Sequence, residues 1–101
     1  SDSASVLLEG APSKIDAKAV DEAIRGIAGV KSIHDLHIWT IGSGLYALTC
    51  HVVVEDQSLS RAAELLAKIN DMLRKRFGIA HITIQLDARQ GGVELRGLRE
   101  A

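Results

Sequence analysis

The sequence predicts a two-layer α+β domain of order α-β-β-α-β, in which two helices cover one face of a three-stranded sheet. Two segments, 16–28 and 59–77, repeat apolar residues at helical spacing. Three others, 30–41, 45–54 and 81–87, are rich in β-branched residues, and "GSG" at 42–44 joins the first two as a hairpin. Two helices with one apolar stripe each cover one sheet face and leave the other open.

Residues 1–14 read as a lead-in, because Gly10, Pro12 and Ser13 interrupt any regular element. Asp16 is a good N-cap for the first helix, and Ile15 before it can staple onto Val20 at the fourth helical position. Val20, Ala23, Ile24 and Ile27 carry the stripe, and Gly29 suits the stop. The second helix has Ser58 before it, Gly78 after it and a stripe of Leu59, Ala62, Leu66, Ile69 and Leu73. Arg74, Lys75 and Arg76 in its last turn complement the helix dipole. In the third strand Ile82, Ile84 and Leu86 alternate with His81, Thr83, Gln85 and Asp87. The tail 88–101, Gly-interrupted and mixed in charge, is compatible with a mobile end or an edge strand.

With 101 residues, 47% of them hydrophobic, the chain is the size of one globular domain with a modest core. No apolar run approaches the ~18 residues of a membrane span, and no secretory signal pattern is visible. Twelve basic against thirteen acidic residues lack the basic surplus of a nucleic-acid binder, and three aromatic residues are too few for base stacking. A single cysteine, Cys50, cannot close an internal disulfide and fits a reducing compartment.

The histidines carry the chemistry. If Gly42 and Ser43 are the central pair of a type II′ turn, Ile41 pairs with Gly44, and counting back sets His34 opposite His51. Opposed residues share a face with Cβ atoms ~5 Å apart, close enough for two imidazoles to hold one metal ion. A three-residue turn would put them on opposite faces. His81, Gln85 and Asp87 on the third strand offer further nitrogen and oxygen ligands for a zinc-type site. Spacing alone favours solvated polar residues, because no compact ligand motif such as C-x-x-C or H-E-x-x-H is present. In the same register His37 falls on the other face, near Asp35, Leu48 and Cys50, as a structural or interface residue. Cys50 reads as a small buried apolar residue, Trp39 as a packing or interface anchor. No nucleophile lies beside a base, so an enzyme is not expected.

Three segments, "LLEGAPSKID", "GVKSIHDLHIWTIGSGLYALTCHVVV" and "HITIQLD", occur in order and at suitable spacing. Over roughly residues 6–87 they resemble the cytoplasmic C-terminal domain of the cation diffusion facilitator family, especially its cobalt–zinc–cadmium resistance branch. The resemblance implies a ferredoxin-like, metallochaperone-like domain at residues 15–87 that forms a homodimer and binds divalent transition metals (zinc, cobalt or cadmium). It also implies a place on the cytoplasmic side of the inner membrane, beside the membrane domain of the same chain, in a transporter exchanging metal for protons. Carried over by position, His34 and His51 match the family's paired histidine ligands. Gln85 and Asp87 match positions that hold histidine or a carboxylate in related domains, and His81 is a further candidate on their face. Gln85 is a weak ligand, and Asp87 is shorter than the glutamate some relatives carry. The alternative is a free-standing soluble metal carrier, a metallochaperone.

Overall fold

A computed structural model of the chain describes residues 6–9, 15–90 and 93–94. The elements are β1 (Val6–Glu9), α1 (Ala17–Arg25), β2 (Val30–Gly42), β3 (Leu45–Glu55), α2 (Leu59–Phe77), β4 (Ile79–Gln90) and β5 (Val93–Glu94). The expected α-β-β-α-β order is present as α1 to β4, and its three strands form the centre of a five-stranded sheet in the order β1-β2-β3-β4-β5. The added edges come from the lead-in and the tail. β1 pairs parallel with β2, and the short β5 pairs antiparallel with β4.

Local chemistry sets the helix starts. The Asp16 carboxylate accepts from the backbone N–H groups of Lys18 and Ala19 at 3.0 and 3.3 Å, and Ser58 Oγ accepts from Arg61 N–H at 3.2 Å. Ile15 and Val20, the expected staple, are both buried in the core. α1 stops at Gly26 rather than Gly29. Gly29, at φ 103°, serves instead in the turn into β2. α2 ends at Gly78, whose φ of 68° is the left-handed conformation that glycine adopts without steric cost.

The core lies between the helices and one sheet face. Ile24 of α1 and Leu65, Ile69 and Leu73 of α2 meet Ile33, Leu36, Ile38, Leu48, Val52 and Ile79. The buried line of α2 therefore runs through Leu65 rather than Leu66, which is half-buried. Leu59, expected in the stripe, is 87% exposed because the first turn of α2 reaches past the packed layer. Steps of four from Leu65 hold one helix face against the sheet, whereas Leu59 lies off that line. Among the described residues Asp21 is the buried charged one: its Oδ2 accepts from Arg25 Nε at 3.0 Å, and its Oδ1 has no hydrogen-bond partner there.

β2 departs from a plain ladder. Gly42 pairs with Leu45, so Ser43 and Gly44 are the central pair of the turn and Gly44, not Gly42, takes positive φ. An unbroken ladder from there would set Leu36 opposite His51. The register shifts between Thr40 and Gly42 and again between His34 and His37, and together these bring His34 opposite His51. The expected pairing is present, reached by a different route. At the second shift Asp35 has φ 55°, the one non-glycine residue with positive φ among those described. The cause is packing: Ile33, Leu36 and Ile38 are all fully buried, and the odd step from 33 to 36 needs one extra residue in the strand.

Candidate metal centre

On the face away from the helices the three central strands set side chains in rows. Ser32, Val53 and Asp87 form one row, then His34, His51 and Gln85, then His37, Thr49 and Thr83, then Trp39, Ala47 and His81. Strands ~4.8 Å apart put row neighbours within reach of one another, and two residues along a strand span ~7 Å.

His51 is the centre of the arrangement. Its Nδ1 lies 3.5 Å from Asp87 Oδ2, and Gln85 Nε2 donates to Asp87 Oδ1 at 3.1 Å. His34 stands directly across the ladder and is exposed, with its Nε2 3.2 Å from Ser32 Oγ. Of the expected ligands, His34, His51, Gln85 and Asp87 are thus brought together. His81 is not: it is exposed, pairs with Ala47 and sits four residues along β4 from Gln85, ~13 Å away.

The reading of His37 needs correction. Because of the shift at Asp35, it pairs with Thr49 rather than Leu48 and lies on the open face with His51. Together with Asp35, Thr49, His51, Thr83 and Gln85 it lines a cleft of about 360 Å³. Strict alternation missed this. The sequence does hold the signal, since no single alternating phase puts Ile33, Leu36 and Ile38 all on one face.

The donor set of imidazoles, carboxylates and an amide oxygen suits a borderline divalent ion such as zinc, cobalt or cadmium. Among the described residues no three His, Cys, Asp or Glu side chains are already gathered to hold an ion. Side chains would have to turn inward, as is common where a metal completes its own site. Cys50 is no ligand to this face: it is 2% exposed and belongs to the core. Burial pushes its thiol up to about 12, and the Asp21 carboxylate adds to the rise.

Two helices over one face of a sheet whose open face carries His34, His37, His51 and Asp87 define the class: a metallochaperone-like domain. The family model described as "Cation efflux protein, cytoplasmic domain" matches residues 12–89, and the chain belongs to that family. It is 47% identical over 87 residues to the cadmium, cobalt and zinc/H(+)-K(+) antiporter of Bacillus subtilis, covering 85% of this chain and 28% of that protein. It is 45% identical over 85 residues to the metal cation efflux system protein CzcD of Cupriavidus metallidurans, covering 84% of this chain and 27% of that protein. The chain thus spans little more than a quarter of the length of these curated relatives. Among solved structures it resembles the metal-bound C-terminal domain of the CzcD transporter from the same organism, with TM-score 0.63, 43% identity and coverage of 71% of this chain and 97% of that one. The nickel form of the MamM C-terminal domain, at 16% identity and TM-score 0.64, covering 72% of this chain and 94% of that one, shares the fold.

Proposed function

We propose that this chain is the cytoplasmic metal-binding, regulatory and dimerisation domain of a proton-coupled divalent-cation efflux transporter of the inner membrane, with zinc, cobalt or cadmium as its ion. The observation that carries the reading is the cluster around His51: His34 across the ladder, Gln85 beside it and Asp87 3.5 Å from its Nδ1. These neighbours supply ligands or orientation to an ion held by His51. None of the described helices is long and apolar enough to cross a membrane. It has no catalytic role in this reading. The relatives that match are transporters more than three times its length, which supports the transporter over the free-standing carrier.

The open face also supports a homodimer. Ile41 and Leu45 are 43% and 47% exposed near the turn, beside half-buried Trp39. A second copy would cover them, and an ion that binds one dimer geometry better than another would shift the population toward it.

Thermal melts with zinc and with a chelator test the reading. Free zinc at 100 times Kd adds about 2.7 kcal/mol to the folded state. For a domain of this size that raises Tm by roughly 11–22 °C. His51→Ala abolishes the rise, and the wild-type chain sediments as a dimer. No rise with zinc, cobalt or cadmium, or a full rise in His51→Ala, overturns the metal-binding reading.

A further inference from the structure

We infer that the end of the domain formed by the last turn of α2 and the turn between β2 and β3 docks on an anionic lipid surface, with the guanidinium groups of Arg74 and Arg76 as its main contacts. The inference rests on the transporter reading above, which puts a bilayer beside the domain, and it says which end of the fold meets that bilayer.

Topology gathers the surface. Ile79, the first residue of β4, pairs with Tyr46 beside the hairpin turn, so α2 ends where β2 and β3 turn back. Arg74, Lys75 and Arg76 are all exposed in that last turn. Arg74 Nη1 donates to Ala80 O at 3.0 Å, six residues on, which carries its guanidinium past the end of the helix. The Arg76 guanidinium lies 5.3 Å from the centroid of the Phe77 ring, on the last residue of α2, and so stays at this end. Arg76 also lines a groove with Ala19, which brings the exposed Lys18 in the first turn of α1 to the same end. Of the carboxylates nearby, Asp16 caps α1, Asp71 lies 3.3 Å from Lys75 Nζ, and Glu22 lines the groove one turn further along α1.

The arrangement selects the partner. Consecutive helix residues point about 100° apart, so residues 74, 75 and 76 fan around the axis instead of forming a row. A fan at a helix end meets a plane of charge end-on, whereas an extended nucleic acid or acidic peptide needs a row along one side. The neighbouring turn, Gly42, Ser43 and Gly44, is small and exposed and lets a flat surface approach. The whole chain has a net charge of −1, so a negative surface attracts it through this end only. Each Lys or Arg close to an anionic leaflet strengthens binding about fivefold, and a homodimer carries the set twice.

The test is co-sedimentation of the whole chain with phosphatidylcholine vesicles that hold about one third phosphatidylglycerol. The chain should bind these, release as salt rises from about 0.05 to 0.3 M, and ignore pure phosphatidylcholine. Arg74→Gln with Arg76→Gln should weaken binding about 25-fold. Lys31→Gln with Arg61→Gln removes equal charge at the opposite end, Arg61 lying about 20 Å back along α2, and should change it less than about twofold. With gadolinium-labelled lipid, amide broadening should concentrate at residues 42–44 and 74–78. Equal losses in the two double variants, or uniform broadening, would show attraction by overall charge and overturn the inference. Displacement by inorganic phosphate at matched ionic strength would mean a discrete phosphate site, and overturns it too. A chain that ignores the mixed vesicles but is still stabilised by zinc loses this inference and keeps its function. If zinc does not stabilise it, the metal-binding reading falls, whatever the vesicles show.

Discussion

Replacing Asp35 by valine and by glycine measures the strain held in β2. Asp35 takes φ 55° and its side chain is exposed, so little packing is lost in either variant. A residue with a Cβ pays ~1–2 kcal/mol in the left-handed region, and a β-branched residue lies at the upper end. Glycine pays nothing there but loses ~0.5–1 kcal/mol through the greater freedom of its unfolded chain. Valine should therefore leave the metal-free domain less stable than glycine by about 1–1.5 kcal/mol. Near Tm that separates the two melts by roughly 4–12 °C. Urea unfolding with unchanged m-values is the matching equilibrium assay, since a changed slope would signal an altered compact state rather than altered strain. The core requires the bulge, because removing it would turn either Ile33 or Leu36, both fully buried, toward solvent. The strand cannot relax by slipping, and the valine variant must hold the strain. A valine variant as stable as the glycine one would refute a left-handed residue at this position, and with it the route by which His37 reaches the open face.

Two further outcomes follow from burial. Leu65→Ala should cost about 2–5 kcal/mol, because its side chain fills the core under the sheet, whereas Leu59→Ala, at a residue 87% exposed, should stay within about 0.5 kcal/mol; equal losses in urea unfolding would contradict the helix orientation. The Cys50 thiol stands at about 12 against an ordinary 9.0, raised by burial and then by Asp21, so the folded chain keeps a proton that the unfolded chain releases. That contribution is full below about pH 9 and is lost as pH rises toward about 12, by up to ~1.4 kcal/mol per pH unit. Cys50→Val should flatten this alkaline slope in stability measured from pH 8.5 to 11; a slope unchanged by the substitution would show that the thiol is not its source.

What could be read from the sequence is what neighbouring residues decide. Asp16 caps α1 by reaching its own N–H groups two and three residues on, and Gly78 stops α2 by its own freedom at φ 68°. The alternation of Ile82, Ile84 and Leu86 with Thr83, Gln85 and Asp87 needs no distant partner to be seen, and it put the polar set of β4 on the open face. Segment likeness to the cation efflux domain was legible for the same reason, since it is carried by contiguous stretches. The tertiary structure decided whatever depended on two distant segments agreeing. Whether α2 buries Leu65 or Leu66 is a matter of how the helix rolls against the sheet. The lead-in's β1 forms because β2 offers it an unpaired edge, a feature absent from residues 6–9 themselves. The side on which His37 emerges was settled by three buried residues, Ile33, Leu36 and Ile38, that must all reach one core. An alternating strand cannot satisfy them, so the backbone inserts one residue at Asp35, and the histidine three positions after His34 arrives on the same face.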